Sequence, residues 1–254
     1  MRLGNLIIAS IALTGISGLA YGQSETLPLP PLDQQNITNY LGSGVVGQPM
    51  PAETIQDVTI YFPLKNRNPT YQVTSGPNSG KTEQLGVVEN RRPSGHASWR
   101  FQLSPTLAGF IKQTPEGNLV MPSVSDLGEG VVVIATPANP FLIKSMRPGQ
   151  SRSYSQRVSV IALEDPADQK YSGNLRGTYT YLGNYQVKVP AGSYNAALFR
   201  LRCDGKVGPA HTQDTAYYFF APGTGVVAMI SQEDATAFWI IHIDTSSGKV
   251  LASQ

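Results

Sequence analysis

The sequence holds a single cysteine, Cys203, in 254 residues. One thiol cannot form an internal disulfide, so stability must come from buried apolar area even in an oxidising compartment. Charge is also sparse: charged residues make up 14% of the chain, the net charge is +2, and no basic run exceeds Arg91-Arg92. That leaves no footprint for the phosphate neutralisation that dominates nucleic-acid binding, and nucleic acid is excluded as a partner. The three histidines, His96, His211 and His242, are too dispersed to propose a metal site, which needs three or more convergent ligands. No serine-nucleophile elbow, metalloprotease helix pattern or calcium loop occurs, and no cofactor is implied. Helical spacing is scarce as well, since 25 glycines and 19 prolines interrupt the chain.

The first residues, "MRLGNLIIASIALTGISGLAYGQS", set Arg2 ahead of an apolar run from Leu6 to Ala20. Ala20-Tyr21-Gly22 supplies the small residues that a signal peptidase prefers, so residues 1–22 read as a signal peptide cleaved after Gly22. A retained anchor is the competing reading. Thr14, Ser17 and the glycines thin the run, however, and no basic stop-transfer cluster follows, so no integral span is expected after cleavage. No cysteine lies near the cut, so a lipid-modified N-terminus is not expected. Hydrophobic residues at 41% argue for a folded chain. The expected address is periplasmic or secreted.

Residues 23–50 are rich in Pro, Gly, Asn and Gln, and "LPLPPL" at 27–32 favours extended polyproline geometry, so this stretch is expected to be a linker or strap. Residues 51–254 are expected to form one β-rich domain. Short runs of Val, Ile, Thr, Tyr and Phe between turn clusters predict strands near 57–62, 70–74, 82–89, 97–103, 130–136, 153–163, 176–182, 184–189, 194–204, 213–221, 225–231, 236–244 and 248–252. Their short connections imply antiparallel hairpins. The best helix candidate is "SPTLAGFIKQ", with Ser104 as cap and Pro105 at the first helical position. The fold class is therefore all-β, mainly antiparallel: a curved sheet, half-barrel or sandwich with at most one or two short helices. "YQVKV" alternates, with Tyr185, Val187 and Val189 on one face, whereas "AFWIIHI" is apolar on both parities and reads as a central strand.

Two turns punctuate the second half. In "VPAGSY", Pro190 and Gly192 fit a three-residue hairpin loop closed by a glycine bulge, and in "APGTGVV", Pro222 and Gly223 fit the centre of a type II turn. Both read as structural corners of a sheet. "GNYQVKVPAGSYNAALFRL" followed by "YYFFAPGTGVVAM" resembles a pattern in uncharacterised exported bacterial proteins and lipoproteins, in which a Val-Pro-Ala-Gly turn, a long strand and an Ala-Pro-Gly-x-Gly-Val turn succeed one another. The resemblance covers about residues 183–230 and implies a curved antiparallel sheet like the half-barrels of periplasmic lipoprotein carriers. It implies no site residues.

Other motifs dissolve on inspection. "GSGVVG" at 42–47 matches the dinucleotide-binding spacing, but Pro49 and Pro51 follow where a helix should open. "GPNSGKT" at 76–82 has three residues between its glycines where a phosphate-binding loop needs four, so it reads as a hairpin loop. Cys203, His211 and Asp214 are the strongest catalytic grouping, because a hairpin through "GKVGPA" would bring the thiol and the imidazole together for an exported hydrolase. Against this, strand alternation turns Cys203 to the core with Ala197, Phe199 and Leu201. His242 reads as a hydrogen-bonded core histidine, and Asp165 and Asp168 as turn residues around Pro166.

The leading functional reading is an exported, non-catalytic envelope protein whose curved sheet binds an apolar ligand or an envelope protein partner. Its candidate lining residues are Tyr179, Tyr181, Tyr217, Phe219, Phe238 and Trp239, drawn from a supply of 12 tyrosines, 8 phenylalanines and 2 tryptophans. The alternatives are the Cys203/His211/Asp214 hydrolase and a purely scaffolding role.

Overall fold

A computed structural model of the chain describes residues 24–91, 97–235 and 246–254. The expected signal peptide, His96, and the strand expected at 236–244 with Phe238, Trp239 and His242 lie outside those residues.

The architecture is one antiparallel sheet. β1 (Val46–Met50) is followed by a hairpin of β2 (Thr70–Ser75) and β3 (Thr82–Gln84). Then comes a meander: β4 (Val87–Arg91), β5 (Ala97–Gln102), β6 (Leu107–Gln113), β7 (Leu119–Asp126), β8 (Val131–Leu142), β9 (Ser151–Ala162), β10 (Gln169–Val189), β11 (Gly192–Val207), β12 (Ala210–Ala221) and β13 (Gly225–Ala235). The last strand, β14 (Ser247–Ser253), pairs between β13 and β2. The order across the sheet runs β3-β2-β14-β13 and then back down the meander to β4, with β1 added beside β10.

This order has a geometric consequence. The terminal strands β3 and β4 are separated in sequence only by Leu85 and Gly86, so the sheet curls until its two ends meet. No ladder joins β3 to β4, and the curl stays open as a barrel that never closes. The chain itself spans the seam, and the flanking ladders run on through it: the Leu85 N–H donates to the Pro69 carbonyl and Arg67 bridges to Val87 on the β2 side, and the Gln102 N–H donates to the Gly86 carbonyl on the β5 side. Leu85 and Val87 turn inward and are fully buried, which is why the expected strand 82–89 breaks in two there. Inside the seam, the Lys249 ammonium on β14 donates to the Leu103 carbonyl at 2.6 Å and pairs with Glu83 of β3 at 2.8 Å. Both charged side chains are 7% exposed, so this ion pair works in a desolvated setting where losing either partner is expensive.

Two helices accompany the sheet. α1 (Pro31–Leu41) replaces the expected extended strap over those residues. Pro31 stands in the first turn, where a missing N–H costs nothing, and Asp33, Ile37 and Leu41 recur every four residues on a buried stripe. α2 (Val58–Tyr61) replaces the expected strand at 57–62. The Asp57 carboxylate accepts from both the N–H and the hydroxyl of Thr59, which caps the turn and holds the Asp57 pKa below the usual range. One turn brings Val58 and Phe62 side by side in the core, where an extended chain would set them roughly 13 Å apart. Conversely, "SPTLAGFIKQ" is not a helix. Ser104 Oγ does accept from the Leu107 N–H, but it caps a β-turn, and residues 107–113 run on as β6 between β5 and β7. The strands expected at 176–182 and 184–189 are one strand, β10, with a bulge between Tyr181 and Gly183 where Gly183 has φ +126°.

The core is aromatic. Phe199 is sandwiched by Tyr179 at 5.2 Å and Tyr181 at 4.7 Å, both stacked, while Phe62, Phe101, Phe141 and Phe220 meet edge to face or tilted at 5.0–6.4 Å between centroids. Each such pair contributes about 0.5–1.5 kcal/mol beyond area burial. A smaller cluster of Val131, Val158, Val160, Leu175 and Val207 fills the far end of the long hairpins.

Candidate functional site

The register of β11 on β12 decides the catalytic grouping. Their loop has only two residues, Gly208 and Pro209, so Cys203 stands opposite Asp214 and His211 stands opposite Lys206. Positions 203 and 206 have opposite parity, which puts the thiol and the imidazole on opposite faces of the sheet. The expectation that this hairpin brings Cys203 and His211 together is therefore overturned. A longer loop would have changed the register; a two-residue one cannot. The thiol bonds weakly to the Asp214 carboxylate at 3.6 Å, and burial together with that neighbouring acid pushes its pKa up to about 12. Burial also raises the Asp214 pKa. The Tyr154 ring lies over Gly177 with its hydroxyl near Cys203, and burial and those neighbours raise the Tyr154 pKa far above normal. A thiol held protonated beside a carboxylate is the reverse of an activated nucleophile.

The aromatic candidates fall into two sets. Tyr179 and Tyr181 stack on Phe199 inside the curl, and their hydroxyls donate to the Phe141 carbonyl at 2.7 Å and to Asn184 at 2.8 Å. Tyr217 and Phe219 stand on the other parity of β12, buried beneath the outer layer. All four are buried, and the three tyrosine hydroxyls are hydrogen-bonded. A cavity bounded by Leu107, Tyr218 and Met229 holds about 70 Å³, far below the roughly 300 Å³ that a drug-sized ligand needs. A second cleft, about 270 Å³, lies at the seam beside Glu83, Asn78 and Lys249.

The turn residues take these places. Pro190 and Ala191 form a two-residue loop, with Val189 paired to Gly192 at φ +140°, one residue tighter than the expected three-residue loop. At the second turn the Thr224 N–H donates to the Ala221 carbonyl around Pro222 and Gly223, and Gly223 has φ +73°, the geometry of a type II turn. That turn is docked: the Gly223 N–H reaches the Ile60 carbonyl, and Arg67 donates to the Thr224 carbonyl while lying 4.7 Å above the Phe62 ring.

Periodicity did not flag the outer face of β9–β12, because no motif is written there in one segment. Pairing assembles it in four rungs. The first is Ser151, Thr180, Arg200 and Tyr217; the second Ser153, Thr178, Arg202 and Thr215; the third Ser155, Arg176, Asp204 and Gln213; the fourth Arg157, Asn174, Lys206 and His211. Five cations stand here against one carboxylate of the sheet, in a chain whose net charge is only +2. α1 covers the first rung. Asp33, 0% exposed, pairs with Arg200 through Oδ2 and with Arg202 through Oδ1 at 3.3 Å, and it accepts the Tyr217 hydroxyl at 2.7 Å. Asn36 in turn donates to Tyr217. Beyond α1 the second and third rungs line an open cleft of about 510 Å³. Among the described residues, Arg157, Arg176 and Lys206 have no ion-pair partner, and Arg202 keeps 41% of its side chain exposed.

No protein-family model matches the chain, and no curated protein matches it in sequence. Solved structures with similar arrangements include a protein named as a lipoprotein from Parabacteroides distasonis (13% identity, 78% of this chain and 99% of that one, TM-score 0.38). The hypothetical lipoprotein YmcC from Escherichia coli is another (7% identity, 88% and 97%, TM-score 0.39). A third is named as an exported protein with YmcC-like fold from Bacteroides fragilis (12% identity, 80% and 98%, TM-score 0.38).

Proposed function

We propose that this is an exported, non-catalytic envelope protein that works by holding a protein partner on the outside of its curved sheet. The observation that carries the reading is the contrast between the two faces. Inside, Tyr179, Tyr181, Phe199 and Phe220 occupy one another's surfaces. Outside, beyond the rung that α1 covers, three rungs of polar side chains face solvent, with cations among them that have no ion-pair partner among the described residues. Apolar ligands are taken up by cavities with open apolar walls, whereas charged and hydroxyl-bearing surfaces select partners by complementarity. Export is supported by the sequence of residues 1–22, and no helix among the described residues is long and apolar enough to cross a membrane. The opposed faces of Cys203 and His211 argue against hydrolysis by that hairpin.

Site-specific photocrosslinking in the exporting cells tests this. A photoreactive residue at Thr178, on the outer rungs, is expected to give one discrete protein adduct in the periplasmic fraction, and the same residue at Lys112, exposed on β6, is expected to give none. Equal labelling from both positions, or recovery of the protein only from the cytoplasm, would overturn the reading.

A further inference from the structure

We propose that the outer rungs of β9–β12 bind an extended acidic segment of the partner polypeptide, with carboxylates on alternate residues. This rests on the partner-binding reading above and names the partner's chemistry. The first two rungs already show how this surface takes an aspartate: Arg200 and Arg202 each engage one oxygen of Asp33, and Tyr217 donates to one of them. The bound group is a polypeptide side chain delivered by α1, with both of its oxygens satisfied and its charge fully desolvated.

The third and fourth rungs carry the same kind of cation without an occupant, and Arg202 on the second is engaged by Asp33 on one side only. Arg202 keeps an exposed share on the second rung, Arg176 stands on the third, and Arg157 and Lys206 share the fourth. Each rung thus offers a cation. Successive rungs are two residues apart along a strand, about 6.8 Å, which is the spacing between same-side side chains of an extended chain. An extended segment along the strand direction can therefore meet one cation with each alternate carboxylate. Between the cations, the hydroxyls of Ser153, Ser155, Thr178 and Thr215 are hydrogen-bond donors of the kind a carboxylate or a backbone carbonyl accepts. Asp204 is the one opposing charge, and it makes the surface reject a carboxylate at that point of β11 while Arg176 accepts one on the neighbouring strand. A fluid anionic membrane surface has no need of this pitch.

The test uses the full mature chain and a fluorescent peptide of alternating Asp and Thr, followed by anisotropy. Saturable binding is expected, weakening steeply between low and physiological salt as steered charge contacts do. The triple variant Arg157→Gln/Arg176→Gln/Lys206→Gln removes only cations without ion partners, so it should melt like the wild type and bind the peptide at least tenfold more weakly. Lys112→Gln should bind normally. Two further probes are an acidic polyuronate and vesicles of phosphatidylglycerol. Tighter binding of either through the same three cations overturns the peptide assignment, as does peptide binding that the triple variant leaves unchanged, or no peptide binding at low salt. A discrete adduct from Thr178 with no acidic-peptide binding would sink this inference alone. Loss of the adduct would sink the partner reading beneath it.

Discussion

Asp33→Ala tests the docking of α1 quantitatively. The substitution removes a fully buried carboxylate that meets Arg200, Arg202 and the Tyr217 hydroxyl. A hydrogen bond to a charged group contributes about 1.5–3 kcal/mol, and breaking a buried pair costs about 3–5 kcal/mol because the surviving charge is stranded. Here Arg200 is stranded, with 17% of its side chain exposed, while Arg202 at 41% relaxes into water and contributes little. The expected loss is about 2–4 kcal/mol, or roughly 4–16 °C in melting temperature for a domain of this size. Because α1 packs on the outside, part of the loss should appear first as local opening. Hydrogen exchange of the residue 34–41 amides should therefore accelerate at temperatures where β10 and β11 remain protected. Asp33→Asn, which keeps the shape but halves the acceptors, should fall between the two. A melting temperature within about 1 °C of wild type for Asp33→Ala, with α1 amides equally protected, would refute the reasoning.

Further outcomes follow from the same geometry. Lys249→Met leaves Glu83 buried without its cation and should cost about 3–5 kcal/mol in urea unfolding; adding Glu83→Leu should recover most of it, and a double variant as unstable as the single would contradict the seam assignment. A Cβ at Gly177 would collide with the Tyr154 ring, so Gly177→Ala should cost about 1–3 kcal/mol in the wild type and almost nothing beside Tyr154→Ala, a coupling that a double-mutant cycle reads directly. With its pKa at about 12 against an ordinary 9.0, Cys203 should alkylate on the order of a hundredfold or more slowly in the native protein than in urea. Its raised folded pKa also has a sign: the unfolded chain releases the thiol proton near pH 9 and the folded one near 12, so stability falls as pH rises through that window, and Cys203→Ala should flatten the fall relative to wild type.

The fold class was legible because alternation and turn chemistry are local. Tyr185 and Val187 are buried and Lys188 is exposed, as their parity predicts, and a Pro-Gly pair marks the turn after β12. Context-dependent elements were not legible. "DVTIYF" carries β-branched residues that favour a strand, yet Asp57 caps a helical turn that draws Val58 and Phe62 into one patch of the core. Ser104-Pro105 looks like a helix start, and the pairing of β6 with two neighbours overrides it. The site was hidden for a different reason. Arg157, Arg176, Arg202 and Lys206 are scattered over fifty residues, and only the register of β9, β10 and β11 makes them neighbours. The same register separates Cys203 from His211, which proximity in sequence had joined. A loop shorter or longer by one residue would reverse both conclusions, and sequence reading leaves loop lengths open to just that error.

The account's central claim is that the inside of the curl is filled by its own aromatic side chains and that binding belongs to the outside. Native mass spectrometry of the mature protein, purified from its exporting cells without detergent, tests this most directly. The account predicts the mass of the bare chain and no lipid on solvent extraction of the same sample. A lipid adduct at one per chain, retained in a variant carrying Arg157→Gln, Arg176→Gln and Lys206→Gln, would contradict it.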